Sequence, residues 1–146
     1  MSRVTITAGA LTAELELVAG RLVSISLPAQ IPASFDAAAL YELQTELASH
    51  PLDLDAAPVF YRRVWERMRQ IEVGTAMTYG ELAADLGSPG AVRAVGQACA
   101  TNRLPVVIPC HRVLAENGPG GFALGLEWKR RLLELETELA APICPR

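Results

Sequence analysis

Cys110 and His111 stand side by side in the run Pro109-Cys110-His111-Arg112. The thiolate is the nucleophile, and an unperturbed cysteine keeps its proton up to a pKa near ~8.5, so a reactive Cys110 needs a base or a positive neighbour. His111 and Arg112 are the right types for both roles. An imidazole base is in turn oriented by a carboxylate. Glu127, Glu134, Glu136 and Glu138, clustered near the end of the chain, are candidates, and spacing leaves the four equal. Direct contact between Cys110 and His111 is awkward. Residues 104–108 read as a buried extended segment feeding Cys110, and in extended backbone consecutive side chains point to opposite faces. His111 therefore reaches Sγ across a turn after Pro109 or through one water. The other histidine, His50, precedes Pro51 where a linker starts, so a papain-like pair drawn from distant positions is weakly supported.

The remaining soft ligands do not build a cluster. Cys99 reads as a buried helix residue, and Cys144, in the Pro-flanked tail AAPICPR, as incidental. Three cysteines without a CxxC pair, with two histidines, make neither a disulfide framework nor a zinc site. The Gly-rich stretch 116–125 lacks both GxGxxG and a following Gly-Lys-Ser/Thr, so a phosphate cradle is not supported. No metal and no cofactor are expected.

The positioning elements follow from periodicity. Residues 3–8, 11–18 and 21–27 alternate apolar and polar residues as three short strands, with turns at Ala8-Gly9-Ala10 and Ala19-Gly20-Arg21. Pro28 to Pro32 interrupts the pattern. Residues 35–49 then carry Leu40, Leu43 and Leu47 on one helical stripe, ended by His50-Pro51. Residues 51–57 read as a linker, which sets a domain boundary between 1–57 and 58–146. Beyond it, Phe60, Val64, Trp65, Met68 and Ile71 recur at core-helix spacing, and Gly74 closes the segment. Thr78 and Glu81 form a capping box for a helix Tyr79–Leu86, with Gly87 as its stop. Ser88 and Pro89 are suited to cap and start a second helix, about 90–101, making a helix-turn-helix pair. That second helix is poor in bulk, with Ala91, Ala94, Gly96, Ala98 and Ala100, and Arg93 is its only charge. Small residues permit close approach, to another helix or to a DNA groove. Residues 126–140 form the last helix, with Leu126, Leu132, Leu133 and Leu139 toward the core. The fold class is α+β: a small N-terminal strand-and-helix domain and a mostly helical C-terminal domain.

Net charge is −3, which does not mark the whole chain as a nucleic-acid binder. The distribution says more. Residues 1–57 are acidic, whereas 58–112 carry Arg62, Arg63, Arg67, Arg69, Arg93, Arg103 and Arg112. Such a middle can hold a phosphate backbone locally or serve as a solvated helix face. No apolar run approaches the ~20 residues of a membrane span, and the N-terminus lacks signal-peptide organisation, so a cytoplasmic location is expected.

The segment TYGELAADLGSPGAVRAVGQACATN over 78–102, followed by IPCHRV over 108–113 and GPGGFALGLEWKRRLLELE over 118–136, resembles the O6-alkylguanine-DNA alkyltransferases. The resemblance covers about residues 58–137, and the first 57 residues match only a short version of that family's variable first domain. It implies a DNA repair protein, a methylated-DNA–protein-cysteine S-methyltransferase, that takes the alkyl group from O6 of guanine onto Cys110 once and irreversibly. It implies that His111 deprotonates Cys110 through a water, that Glu136 orients His111, and that Asn102 braces the turn between the helix pair and the cysteine. The expected partner is double-stranded DNA carrying O6-alkylguanine, entered from the minor groove by a protein that is a monomer. The lesion is flipped out of the stack, Arg93 fills the gap, and the small residues Ala94 and Gly96 allow the close approach. Tyr79 donates to the guanine and crowds the target phosphate, while Val113, Phe122 and Ala123 shape the pocket. Phe122-Ala123 replaces the family's usual tyrosine and following residue, and Arg103 its usual proline. A non-catalytic alkylguanine-binding protein that flags lesions is the alternative, disfavoured by the presence of Cys110.

Overall fold

The computed structural model describes residues 1–140; Cys144 lies outside them. Three strands, β1 (Ser2–Ala8), β2 (Leu11–Val18) and β3 (Arg21–Ser26), form an antiparallel meander. The pairing of Val18 with Arg21 leaves a two-residue turn, and Ala19 and Gly20 both take positive φ there, 52° and 78°. Two left-handed residues match the right-handed twist of the flanking strands. On β2 the alternation predicted from sequence holds: Leu11, Ala13, Leu15 and Leu17 are buried, whereas Thr12, Glu14 and Val18 are exposed.

Helix α1 (Ala37–Ala48) starts at Asp36, whose side chain accepts from Ala39 N at 2.9 Å. It buries Ala39, Leu40, Leu43 and Leu47. The expected linker after it is tied down. Leu22 N donates to Pro51 O at 2.8 Å and Asp53 N to Leu22 O at 2.9 Å, so residues 51–53 pair with the edge of β3. One hydrophobic core runs from Ala8 to Leu135, and the boundary expected near residue 57 falls between α1 and the next helix.

Helix α2 (Val59–Met68) buries Val64, Trp65 and Met68. A short strand β4 (Met77–Thr78) leads into α3 (Tyr79–Asp85), and both halves of the capping box form: Glu81 N donates to Thr78 Oγ1 at 3.0 Å, and Thr78 N to Glu81 Oε1 at 2.8 Å. Helix α4 (Val92–Ala100) packs on α2 and α3, with Trp65 Nε1 donating to Ala98 O at 2.8 Å. Ser88 does not cap it. Its carbonyl accepts from Ala91 N at 2.9 Å, and the turn through Pro89-Gly90 delays the helix to Val92.

Residues 104–108 are not extended. They form a compact turn in which Ile108 N donates to Leu104 O at 2.9 Å and Val106 takes a φ of 74°. Pro105 and Pro109 supply no N–H for a ladder, and a buried asparagine holds the turn closed. A 3-10 turn at Cys110–Arg112 follows, then β5 (Val113–Leu114), which pairs in parallel with β4.

Helix α5 (Leu126–Ala140) buries Trp128, Lys129, Leu132, Leu135 and Glu136. Leu126, expected in the core, is 44% exposed, and Leu133 and Leu139 are only partly buried. Trp128 decides the rotation of the helix: its ring meets Phe35 edge-on at 5.7 Å and its Nε1 donates to Pro28 O at 2.9 Å. The core stripe is therefore 128, 132 and 135. Among the described residues no helix is long and apolar enough to cross a membrane.

Candidate active site

The closed turn between α4 and the 3-10 turn places the cysteine. Asn102, buried, uses its whole side chain there. Oδ1 accepts from Leu104 N at 2.9 Å, while Nδ2 donates to Ile108 O at 3.0 Å and to Cys110 Sγ at 3.1 Å. One amide, two residues past the end of α4, thus ties the turn to the sulfur. Cys110 Sγ lies 3.8 Å from Met68 Sδ on α2, and Cys99 Sγ on α4 lies at the same distance from that sulfur. Burial pushes the Cys110 thiol well above its ordinary range, and Cys99 adds to this, against the pull of the Asn102 N–H and of the Lys129 charge. The resting sulfur is a protonated thiol.

His111 is fully buried, and its Nε2 lies 2.9 Å from Glu136 Oε2. Glu136 also takes Arg112 Nε on Oε1 at 2.9 Å, and Arg112 Nη2 at 2.6 Å and Gln44 Nε2 at 2.7 Å on Oε2. Arg112 Nη1 donates to Ile71 O at 2.6 Å. Burial alone raises a carboxyl pKa, but the hydrogen bonds from Arg112 and His111 outweigh it and bring Glu136 down to about 2. A carboxylate only accepts, so the imidazole proton sits on Nε2, and Nδ1 carries the lone pair. Nδ1 is buried with no hydrogen-bond partner among the described residues. Burial pulls His111 below its ordinary value despite Glu136, so the ring is neutral at pH 7. The geometry yields a neutral, oriented base next in sequence to a buried thiol.

Of the four glutamates near the chain end, Glu136 is the one that meets His111. Glu127, Glu134 and Glu138 are exposed. The backbone at 110–112 is a 3-10 turn rather than a strand, so the opposite-face alternation of extended backbone does not apply to Cys110 and His111.

A cavity of about 170 Å³ is lined by Tyr79, Gly96, Cys99, Ala100, Gly121, Phe122 and Ala123. The fold thus gathers Tyr79, Gly96, Phe122 and Ala123 from three segments. Phe122 also meets the His111 ring edge-on at 6.2 Å. Arg93, Ala94 and Val113 do not line the cavity. Arg93 is exposed on the outer face of α4, Ala94 is half-buried, and Val113 is fully buried in β5. A larger cavity, about 380 Å³, is lined by Asp53, Trp65, Asn102 and Arg103 among others, but not by Cys110, His111 or Glu136.

Three further side chains meet the site and carry little sequence signal. Lys129, fully buried, donates from Nζ to Val113 O at 2.6 Å and to Gly121 O at 2.9 Å, clamping β5 to the glycine loop. Its signal was a lysine beside Trp128 on the buried side of α5. Met68 sits at core-helix spacing, which carries no sign of a neighbouring thiol. Gln44 carried no signal at all.

The loop wall rests on Gly120, which has a φ of 73°, and a Cβ there falls 2.9 Å from the Tyr79 ring and hydroxyl. Gly120→Ala is expected to lower the thermal midpoint by roughly 3–8 °C, from about 1–2 kcal/mol of left-handed strain plus the clash. Gly121→Ala, with open space around its Cβ position, is the control that leaves the midpoint in place.

Residues 59–138 match the family model described as 6-O-methylguanine DNA methyltransferase, DNA binding domain. The chain is 44% identical over 104 residues to the methylated-DNA–protein-cysteine methyltransferase of Methanopyrus kandleri, covering 67% of this chain and 78% of that protein. It is 50% identical over 78 residues to the Salmonella typhimurium protein of the same description, covering 53% of this chain and 46% of that one. Its fold is similar to that of Mycobacterium tuberculosis OGT, solved in complex with DNA, with a TM-score of 0.73, 30% identity and 93% of each chain covered.

Proposed function

Since the chain belongs to the 6-O-methylguanine DNA methyltransferase family, we propose that it repairs O6-alkylguanine in double-stranded DNA by moving the alkyl group onto its own Cys110. His111 Nδ1 takes the Cys110 proton through one water, and Glu136 stabilises the imidazolium that forms. The thiolate attacks the alkyl carbon in line with the C–O bond. The C–S bond forms as the C–O bond breaks, and the guanine leaves with the electron pair on O6. Tyr79, at the cavity wall, donates to the departing base. The thioether has no leaving group to regenerate the thiol, so each molecule acts once.

The observation that supports this reading is the pair of hydrogen bonds flanking the proposed proton path: Asn102 on the sulfur, and His111 Nε2 on Glu136. A side chain serving only as core would not need a fully hydrogen-bonded carboxylate behind it. The test is covalent transfer from an O6-methylguanine duplex, read by the mass of the protein.

The target atom is inaccessible inside a duplex, so the base is flipped, at a cost of roughly a few kcal/mol. Helix α4 suits the minor groove: Val92, Arg93, Gln97 and Ala100 are exposed beside Gly96, with little bulk to hold the DNA away. Arg93 fills the space the base vacates. Arg93→Ala is expected to slow transfer from duplex DNA much more than transfer from free O6-benzylguanine. Equal losses on the two substrates would remove Arg93 from the flipping step.

A further inference from the structure

Glu136 Oε2 accepts three N–H groups, and one comes from far away in sequence: Gln44 Nε2 on α1, at 2.7 Å, beside His111 Nε2 at 2.9 Å and Arg112 Nη2 at 2.6 Å. Gln44 is the hydrogen-bonding group from the first 57 residues that touches the relay. We propose that Gln44 is a positioning residue through which α1 sets the basicity of His111, so that the N-terminal segment tunes the reaction as well as supporting the fold. The proposal rests on the reading of His111 as the base for Cys110.

The sign follows from sharing one oxygen. Each donor on Oε2 draws negative charge toward itself, leaving less to stabilise an imidazolium at Nε2. Removing the Gln44 donor concentrates that charge on His111 and strengthens its hold on a proton. A cation in the same place withdraws more charge and repels an imidazolium directly. The other charged groups bearing on the pair are Arg112, from the 3-10 turn, and Lys129, from α5. Tyr41, Glu42 and Glu46, the ionisable groups of α1, are exposed. Within α1, then, Gln44 alone reaches the carboxylate.

Two variants with opposite signs test this. Leucine and lysine are both good helix formers, and position 44 is only partly buried, so α1 tolerates either. Gln44→Leu is expected to move the acid limb of the alkyl-transfer pH profile to higher pH by roughly half a pH unit, as befits one hydrogen bond, and Gln44→Lys to move it to lower pH by at least as much, because it adds a full charge. His111 itself, titrated by NMR with His50→Gln assigning the two imidazoles, should shift in the same two directions. A purely structural cross-link predicts slower transfer in both variants with one unchanged limb. Coincident titrations, or shifts of the same sign, overturn the proposal. If the parent protein transfers no alkyl group, the mechanism above fails instead, and the His111 titrations still decide the role of Gln44.

Discussion

Incubation with a duplex carrying O6-methylguanine is expected to add about 14 Da to the protein, once per molecule and on Cys110, as a stable thioether requires. Cys110→Ala should abolish the gain while duplex binding persists, because α4 and its exposed Arg93 are untouched. The expectation is sharp because a second thiol is at hand. Cys99 lines the cavity and shares Met68 Sδ with Cys110. Of the two, only Cys110 receives the Asn102 N–H, and it precedes His111, whose Nδ1 has no hydrogen-bond partner among the described residues. The thiol of Cys110 is held well above its ordinary pKa by burial, so it becomes a nucleophile only when its proton has somewhere to go. Peptide mapping that places the methyl on Cys99, or release of more than one equivalent of repaired guanine per protein, would falsify the assignment.

Glu136→Leu should cost more than activity. The substitution leaves Nε and Nη2 of the buried Arg112 guanidinium, and the His111 N–H, without an acceptor, a loss of about 3–5 kcal/mol for a broken buried pair, against a typical total stability of ~5–15 kcal/mol. Glu136→Gln keeps the shape and one acceptor, so it separates folding from catalysis. It is expected to fold, to transfer methyl far more slowly, and to lose a specific acid sensitivity. The folded pKa of Glu136, about 2, lies below the ordinary 4.5. A depressed carboxyl contributes stability that is fully present above its unfolded value and is lost as pH falls through that value toward 2. The contribution at neutral pH is roughly 3 kcal/mol. His111 adds in the same direction. Its pKa is lowered by burial, so the unfolded chain binds its proton first, and stability declines once pH drops below the ordinary 6.5. With His111→Gln in both chains to remove the histidine's own titration, urea midpoints measured from pH 7 down to pH 3 should therefore fall more steeply with Glu136 than with Glu136→Gln. Parallel slopes would show that the carboxylate is not ionised and paired in the folded state.

Much of the molecule was determined within short windows of sequence. The three strands and their turns follow from two-residue alternation and from Gly20, the start of α3 from the Thr78–Glu81 pair, and the stripe of α1 from Leu40, Leu43 and Leu47. The run Pro109-Cys110-His111-Arg112 announced its chemistry by residue type, and the motif order placed Asn102, Tyr79 and Glu136 through resemblance. These signals act over one or two turns of chain, where propensity and capping operate.

Other features needed the tertiary structure. Val106-Val107-Ile108 has strand propensity, yet Asn102 and two prolines fold it into the turn that delivers Cys110. Leu126 belonged on an apolar stripe until Trp128, locked on Phe35 and Pro28, turned α5 away from it. Residue types alone left four glutamates equal as partners of His111. Contact with Arg112, His111 and a glutamine 92 residues away singled out Glu136. The physical reason is common to all three. A backbone angle answers to its neighbours in sequence, whereas a helix's rotation, a buried carboxylate's charge and an imidazole's free nitrogen answer to whichever groups the packed core brings within hydrogen-bond reach.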